Sequence, residues 1–220
     1  MIISFFLILG IISSIIASIG KSSDDISVKN NSVLLVDLSN PIYDREVEDI
    51  SSMFSADGIN NKAIGLTEFI QVIDKAKNDK NIKAIMLNLS VFQANGMATA
   101  QEIREVLQDF KTSGKKIYAY GDMIDQKSYY VATVADKIML NPAGMLTLSG
   151  MGGEVMYYKD LINKLDIDVD LIRPTNNAYK SAGETYIMNH MSDSNRVQTR
   201  QYLTSIWSVL SSQIAASRNI

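Results

Sequence analysis

Short apolar runs and amphipathic stretches alternate along most of this chain of 220 residues. Runs of β-branched and aliphatic residues predict buried strands, and they lie at 33–36, 85–89, 117–120, 138–140 and 169–172. Between the runs, apolar residues recur at helical spacing or in shorter helical stretches, at 66–76, 103–110, 129–135, 161–165 and 203–214. Strands that alternate with helices indicate a parallel sheet built from right-handed crossovers, and therefore an α/β domain.

No low-complexity tract or linker divides residues 32–220, so we expect a single domain there. Ser113-Gly114 is a stop signal that fits the end of the helix at 103–110. The last predicted helix lacks such a signal, because the chain reaches 218–220 without a clear cap. We therefore expect this helix to continue past Ile220 and the chain to be truncated there.

The N-terminal residues 2–19 form an uncharged apolar run. As a helix this run is roughly 27 Å long, close to the ~30 Å hydrocarbon core of a bilayer. A cleaved signal peptide and a buried core helix are the alternatives. Nothing basic precedes the run, and Ala17-Ser18-Ile19 is a poor cleavage site. A core helix is disfavoured because the run is apolar on every face and lies at the extreme terminus. We predict an uncleaved membrane anchor at 1–20, followed by a polar tether at 21–31.

The charge balance and the rarity of metal ligands restrict the classes of function. The chain has 21 Lys+Arg against 24 Asp+Glu, a net charge of −3 and no basic run, which argues against a nucleic-acid partner. The absence of cysteine excludes disulfides and thiolate chemistry. With His190 as the one histidine, a zinc or iron site is disfavoured, and His190 is interpreted as a structural or surface residue. We expect neither a metal nor an organic cofactor.

With so few reactive side chains, Lys180 is the strongest candidate for chemistry. It lies in the stretch 176–184, where Ala178, Tyr179 and Ala182 offer a partly apolar surrounding. A lysine acts as a general base only when burial or a nearby positive charge lowers its pKa from about 10.4. It then needs a serine hydroxyl about 3 Å away to activate. The competing interpretation is an ordinary solvated loop lysine, since most lysines are exposed.

Other polar positions fall at predicted strand and helix ends. Asp122 and Asp125 follow a strand, at the edge where sites in parallel sheets cluster. The backbone amides of Asn95 and Gly96 could face a bound carbonyl oxygen, although a plain turn explains these residues equally well. The glycine cluster at 150–153 fits neither a phosphate loop nor a dinucleotide fingerprint and is interpreted as a tight turn.

Several segments, taken in order, resemble one known family. They are Ile82-Lys83-Ala84-Ile85, Phe110-Lys111, Gly114-Lys115, Tyr118 to Asp122, Tyr129 to Ala132, Ala135 to Ile138, Gly153 to Leu161 and Tyr179-Lys180-Ser181-Ala182. Through them, residues 32–220 resemble signal peptide peptidase A, most closely the N-terminal half of its long, two-domain form. The resemblance runs in order and without a large gap.

This resemblance implies an α/β fold of the crotonase/Clp-protease type, with a repeated ββα core behind an N-terminal transmembrane helix. It implies a single-pass serine endopeptidase of the bacterial inner membrane, facing the extracytoplasmic side, that degrades signal peptides left after secretion. The family's Tyr-Lys-Ser-Ala lysine is the general base of a Ser–Lys dyad and corresponds to Lys180. Asn95, Gly96, Tyr179 and Ser181 are then expected to support the peptide groove or the oxyanion. Expected partners are signal peptides, the lipid bilayer and further copies in a homo-oligomer.

The family's serine has no counterpart in this chain. It lies in an Ala-Ala-Ser-Gly-Gly-Tyr segment just after a Gly-Asp pair, and the corresponding stretch at 121–129 places Gln126 there. Ser128 is two residues out of register. The resemblance implies that a second domain, absent from these 220 residues, supplies the serine, so this chain alone is expected to be inactive. A membrane-tethered scaffold that has lost catalysis and a crotonase-like acyl-CoA enzyme are the alternatives.

Overall fold

The computed structural model describes residues 28–39, 42–44, 64–90, 92, 96–174 and 176–220. The predicted anchor at 2–19 and the first part of the predicted tether lie outside the described residues. Within the described ranges, no helix is both long and apolar enough to cross a membrane.

The described residues form six strands and six helices. In chain order they are β1 (Ser32–Asp37), β2 (Ile42–Tyr43), β3 (Ile64–Gly65), α1 (Leu66–Asn78), β4 (Ile82–Asn88), α2 (Met97–Lys111), β5 (Lys116–Ile124), α3 (Gln126–Ala132), β6 (Lys137–Leu146), α4 (Lys159–Lys164), α5 (Glu184–Ile187) and α6 (Asp193–Arg218).

A four-stranded parallel sheet in the order β1-β4-β5-β6 forms the centre of the domain, and β2 pairs with β3 in a second, two-stranded parallel sheet. One row of side chains across the large sheet runs Val36, Leu87, Ala119 and Ile138. The four strands of this sheet lie side by side in chain order. Right-handed crossovers between them therefore bring the connecting helices to one face. The predicted α/β architecture with a parallel sheet is confirmed.

The helices cover one face of the sheet and leave the other open. Phe69 and Ile73 of α1 and Ile103 and Leu107 of α2 are buried in one cluster with sheet residues such as Ile85. Removal of these apolar side chains from water is the main stabilisation of a domain of this size. On the opposite face, Val33, Leu35 and Tyr118 are exposed.

Strand β6 continues beyond the predicted run at 138–140, through Pro142, to Leu146. Proline lacks the N–H that a central strand needs, and it is tolerated here because β6 is the edge strand of the sheet. The pairing of β5 and β6 shifts register between Gly121 and Met123, opposite this part of β6.

Gly144 brings β6 unusually close to β5 at this irregularity. A Cβ atom at position 144 would lie 2.1 Å from the backbone oxygen of Asp122. We expect Gly144→Ala to lower the free energy of unfolding, measured by urea denaturation, by about 1–3 kcal/mol, because backbone must move to make room. Gly153→Ala is the matched control, since a Cβ there meets no atom within 4 Å. Equal stability of the two variants would contradict the close approach of the strands.

Two sequence expectations are wrong. Residues 169–172 do not form a strand, and the side chain of Ile172 is 96% exposed. A short apolar run forms a strand only where a neighbouring strand supplies backbone hydrogen bonds. None of the described strands pairs with this segment. The expectation that the last helix lacks a cap is also wrong, because α6 ends at Arg218 and Asn219 adopts the left-handed conformation (φ 57°) that terminates helices. The truncation of the chain stays a prediction.

Arg104 of α2 attaches the C-terminal part of α6 to the domain. Its Nη1 donates to Tyr130 O (2.5 Å) and Thr133 Oγ1 (2.7 Å), both at the end of α3. Its Nε and Nη2 donate to the side chain and backbone of Gln213 (3.1 and 3.2 Å), and Nη2 also donates to Ser217 Oγ (2.6 Å). The guanidinium is buried and its hydrogen bonds reach neutral acceptors on two other helices. Arg104 therefore fixes where α6 meets α2 and α3.

Candidate functional site

Lys180 lies on an exposed turn between α5 and the segment 167–174, which forms neither helix nor strand. Its N–H donates to Asn177 O (2.8 Å), and the N–H of Glu184 donates to Ser181 O (2.9 Å). We call residues 177–184 the lysine turn. Tyr179 is exposed and Ser181 is half-buried. The backbone of the turn is thus hydrogen-bonded at both ends while the Lys180 side chain remains open to solvent.

Gly183 lets the lysine turn pack closely against Leu171 in the segment before it. A Cβ atom at position 183 would lie 2.4 Å from Cδ2 and 2.6 Å from Cδ1 of Leu171. The isobutyl group of Leu171 therefore occupies the space that any larger residue at 183 would need. This contact gives Leu171 a defined place even though the segment 169–172 forms no strand.

Glu184 closes the lysine turn and is buried. Its carboxylate accepts hydrogen bonds from Ser192 Oγ (2.5 Å), Ser192 N (3.3 Å) and Asn195 Nδ2 (2.9 Å). Burial alone would raise the pKa of this carboxyl. The three hydrogen bonds and the positive charge of Arg173 outweigh burial, so the pKa of Glu184 lies below its ordinary value. The side chain is therefore an ionised group held at the start of α6.

Gln126, which the sequence resemblance predicts at the serine position, is the first residue of α3. Its Oε1 accepts from Gly150 N (2.9 Å) and its Nε2 donates to Gly150 O (3.3 Å). Gly150 adopts a positive φ of 78°, as expected for the predicted tight turn. The carboxamide therefore holds this turn against the start of α3. It offers no nucleophile.

Ser128 is buried, and its N–H donates to Oδ1 of Asp125 (2.7 Å). Asp125 thereby caps the N-terminus of α3. This arrangement assigns a structural role to Asp125. It also removes the side chain of Ser128 from the surface where a peptide would have to bind.

Asp122 lies at the carboxyl end of β5, in an exposed cluster of polar side chains. It accepts hydrogen bonds from Tyr120 Oη (2.7 Å) and Asn141 Nδ2 (2.8 Å). These bonds, with that from Tyr120 the stronger, hold the pKa of Asp122 below its ordinary value, and the same bond raises the pKa of Tyr120. The cluster joins β5 to β6.

The remaining sequence candidates are dispersed. Asn95 lies outside the described residues, and Gly96 is the extended residue (φ −172°) that precedes α2. His190 is exposed. Within the described part of the chain, no group of three or more His, Cys, Asp or Glu residues is placed to hold a metal ion.

The structure brings some of these residues together and leaves others apart. Gln126 meets Gly150, and Asp122 meets Tyr120 and Asn141. Among the described residues, no hydrogen bond joins the side chain of Lys180 to that of Gln126 or Ser128. The described chain thus presents a lysine on one turn and no serine bonded to it.

Sequence reasoning missed Glu184 and Arg104. Glu184 stands in a Ser-Ala-Gly-Glu stretch that is typical of a solvated loop, and no local signal indicates its burial. For Arg104 a signal exists. Helical spacing places it on the same face as Ala100 and Leu107, both buried, so a charged residue there requires internal partners.

Structural likeness to solved proteins is weak. An enoyl-CoA hydratase from Polaromonas sp. JS666 superposes with a TM-score of 0.34 at 12% identity, over 86% of this chain and 76% of that protein. An overlap at this level carries no argument about fold or function.

Sequence relatives are more informative. Protease 4 of Salmonella typhi is 31% identical over 193 residues, which are 85% of this chain and 31% of that protein. Protease 4 of Haemophilus influenzae is 28% identical over 96% of this chain and 35% of its own length. The chloroplastic serine protease SPPA of Arabidopsis thaliana is 25% identical over 82% of this chain and 25% of that protein. The chain spans about a third of the length of the two Protease 4 relatives.

The profile of peptidase family S49 matches residues 109–220, just over half of the chain. The matched range includes the lysine turn, Gln126 and the whole of α6. These similarities agree with the resemblance to signal peptide peptidase A that the sequence motifs carry. The chain belongs to peptidase family S49.

Proposed function

We propose that this chain supplies the general base, Lys180, to a serine endopeptidase with a Ser–Lys dyad, and that a region outside these 220 residues supplies the nucleophilic serine. The observation that supports the proposal most directly is the residue at the predicted serine position. Gln126 stands there with both polar atoms of its side chain bonded to Gly150, while Lys180 is exposed on a hydrogen-bonded turn in the part of the chain that the family profile matches.

The exposure of Lys180 fits a base that is completed by another region. An amine accepts a proton only in its neutral form, and removal from water is what favours that form. In this chain the side chain of Lys180 is open to solvent. We propose that the serine-bearing region and the bound peptide cover Lys180. The same region would then bury the amine and bring the serine hydroxyl beside it.

The proposed reaction follows the general logic of covalent peptide hydrolysis. The neutral amine of Lys180 takes the proton of the serine hydroxyl as its oxygen bonds to the peptide carbonyl carbon. The resulting ammonium gives that proton to the departing amine nitrogen, which leaves an acyl-serine. Lys180 then takes a proton from water as the water oxygen attacks the acyl carbon. It returns that proton to the serine oxygen as the acyl bond breaks, which restores the serine hydroxyl and the neutral amine. No metal or organic cofactor enters these steps.

The wider setting is part of the same proposal. We propose a crotonase/Clp-type repeated core, a single-pass anchor formed by residues 2–19, and a domain on the extracytoplasmic side of the bacterial inner membrane. The substrates proposed are signal peptides left after secretion, bound with Tyr179, Ser181 and the Asn95–Gly96 backbone beside the groove, and the protein is proposed to act as a homo-oligomer.

A second candidate function is a membrane-tethered scaffold of the same fold without catalysis. The bonded amide of Gln126 favours it, because this position contributes to the packing of the Gly150 turn and not to chemistry. The two candidates differ in whether any region of the protein completes the dyad.

A peptide-cleavage assay separates the two functions. The protein expressed in full from its own gene, in detergent-solubilised membranes, is given a fluorescent leader peptide with an apolar centre and a polar peptide of equal length. The proposal predicts cleavage of the apolar peptide only. Absence of cleavage of both peptides, with the protein folded, would contradict the peptidase and support the scaffold.

A further inference from the structure

Glu184 is the only buried residue among the described residues between 136 and 209. Glutamate is among the residues that are least often buried without a partner. In this part of the chain, apolar side chains such as Met156 and Ile172 are exposed instead. The place of the lysine turn therefore depends on the bonds of one carboxylate more than on the burial of apolar surface.

The donors to Glu184 all belong to the first turn of α6 and its cap. Ser192 is the N-cap of the helix and its Oγ also accepts from Asn195 N (3.2 Å). Ser192 donates to Glu184 through both its hydroxyl and its N–H, and Asn195 donates through its side chain. A negative charge beside a helix N-terminus is stabilised by the partial positive charge of the free N–H groups. The carboxylate thus fastens the lysine turn to α6.

The other end of α6 is fixed to the domain. Leu210 and Ile214 are buried, and Gln213 and Ser217 accept from Arg104. A helix of 26 residues is roughly 39 Å long. Its C-terminal end also meets Tyr130 of α3, whose hydroxyl donates to Gln213 Oε1 (2.6 Å). A continuous series of contacts therefore runs from the lysine turn, through Glu184 and α6, to the helix that begins at Gln126.

We propose that Glu184 is a positioning residue that fixes the location of Lys180 through the N-terminus of α6. The proposal rests on the proposed role of Lys180 as the base. Glu184 follows Lys180 by four residues, and its own N–H closes the turn by donating to Ser181 O. A base must stand within hydrogen-bond reach of the hydroxyl it deprotonates, so a small shift of the turn costs rate without changing peptide binding.

The deciding variant is Glu184→Gln in the protein expressed in full from its own gene. Glutamine keeps the size of the side chain, but it replaces one acceptor oxygen by a donor and removes the charge. We expect kcat for cleavage of the apolar leader peptide to fall roughly 10- to 100-fold, with KM within about twofold of the wild type. Asp160→Asn is the matched control, because Asp160 accepts from Asn189 (3.0 Å) in the same region and is exposed. Its kcat should not change.

Hydrogen exchange distinguishes positioning from general destabilisation. In Glu184→Gln, the amides of Lys180 and Glu184 should exchange faster, while that of Ile117 in the sheet should keep its protection. Faster exchange at Ile117 to the same extent, or unchanged exchange at Lys180, would overturn the proposal. Ser192→Ala removes the shortest bond to the carboxylate and decides the matter if Glu184→Gln does not fold. Its kcat should fall at constant KM, and an unchanged kcat would overturn the proposal.

Different results would contradict the role of Lys180 as the base and the positioning role of Glu184. If Lys180→Ala cleaves the peptide normally, Lys180 is not the base, and both the proposed function and the role of Glu184 are wrong. If Lys180→Ala is inactive while Glu184→Gln retains the full kcat, the base is right and the positioning role is wrong. The combined variant Glu184→Gln/Ser192→Ala should lose no more than Glu184→Gln alone, because both changes break the same link.

Discussion

Replacing Lys180 with alanine in the protein expressed in full from its own gene is expected to lower kcat for cleavage of the apolar leader peptide by at least about 1,000-fold. The methyl group cannot accept the serine proton or return it to the leaving amine. The loss of rate should come without a loss of structure, because the Lys180 side chain is exposed and its backbone bond to Asn177 remains available. Steady-state cleavage of the peptide, with the circular dichroism spectrum as a check on folding, measures the effect.

Lys164→Ala provides the matched control for this loss. Lys164 is also exposed, ends α4 and lies in the same C-terminal part of the chain. Its removal changes the net charge by the same amount and should leave kcat and KM unaltered. Cleavage by Lys180→Ala at the rate of Lys164→Ala would refute the assignment of the base.

The largest expected effect on stability belongs to Arg104→Ala. The variant removes the donor that Arg104 supplies to Tyr130 O and Thr133 Oγ1, where the bonds are buried, and to Gln213 and Ser217, which are half-buried. It also opens a cavity where the guanidinium stood. Each buried acceptor without a partner costs about 1–3 kcal/mol. We expect the free energy of unfolding to fall by about 3–5 kcal/mol. Urea denaturation gives the total, and faster hydrogen exchange at Gln213 and Ser217 shows that α6 has detached.

Glu105→Ala is the control for Arg104→Ala, since Glu105 is the next residue on α2, is exposed and bonds only Gln101 among the described residues. Its free energy of unfolding should stay within about 0.5 kcal/mol of the wild type. A loss below about 1 kcal/mol for Arg104→Ala would mean that water or rearranged side chains satisfy the acceptors. The role of Arg104 in fixing α6 would then be wrong.

Most of the sheet and its covering helices could be predicted from the sequence because their signals are local. The apolar run at 85–89 and the helical spacing at 103–110 indicate which side chains face the core. This can be inferred without knowing which other elements pack against them. The short run at 169–172 also predicts a strand but forms none, because a ladder needs a second strand and the sequence does not say where one lies. The cap at Asn219 was missed because asparagine at a helix end is a weaker signal than glycine.

The candidate site could be predicted only in part. Tyr-Lys-Ser-Ala predicts Lys180 as the base, and the register after Gly121-Asp122 predicts Gln126 at the serine position; both stay predictions. The bond between Gln126 and Gly150 spans 24 residues, and the bond between Arg104 and Gln213 spans 109. The helical or strand periodicity of the sequence does not indicate hydrogen bonds between residues so far apart. Glu184 was missed for the same reason, because its burial depends on Ser192 and Asn195 and not on the residues beside it.

The central claim is that this chain holds the base of a dyad whose serine lies outside it. Treating the complete protein with a fluorophosphonate, which attaches to activated serine hydroxyls, and locating the label by mass spectrometry tests this claim most directly. We predict a single labelled serine beyond residues 1–220, with labelling lost in Lys180→Ala and retained in Lys164→Ala. Label on Ser128 or another serine of this chain, or labelling that persists in Lys180→Ala, would contradict it.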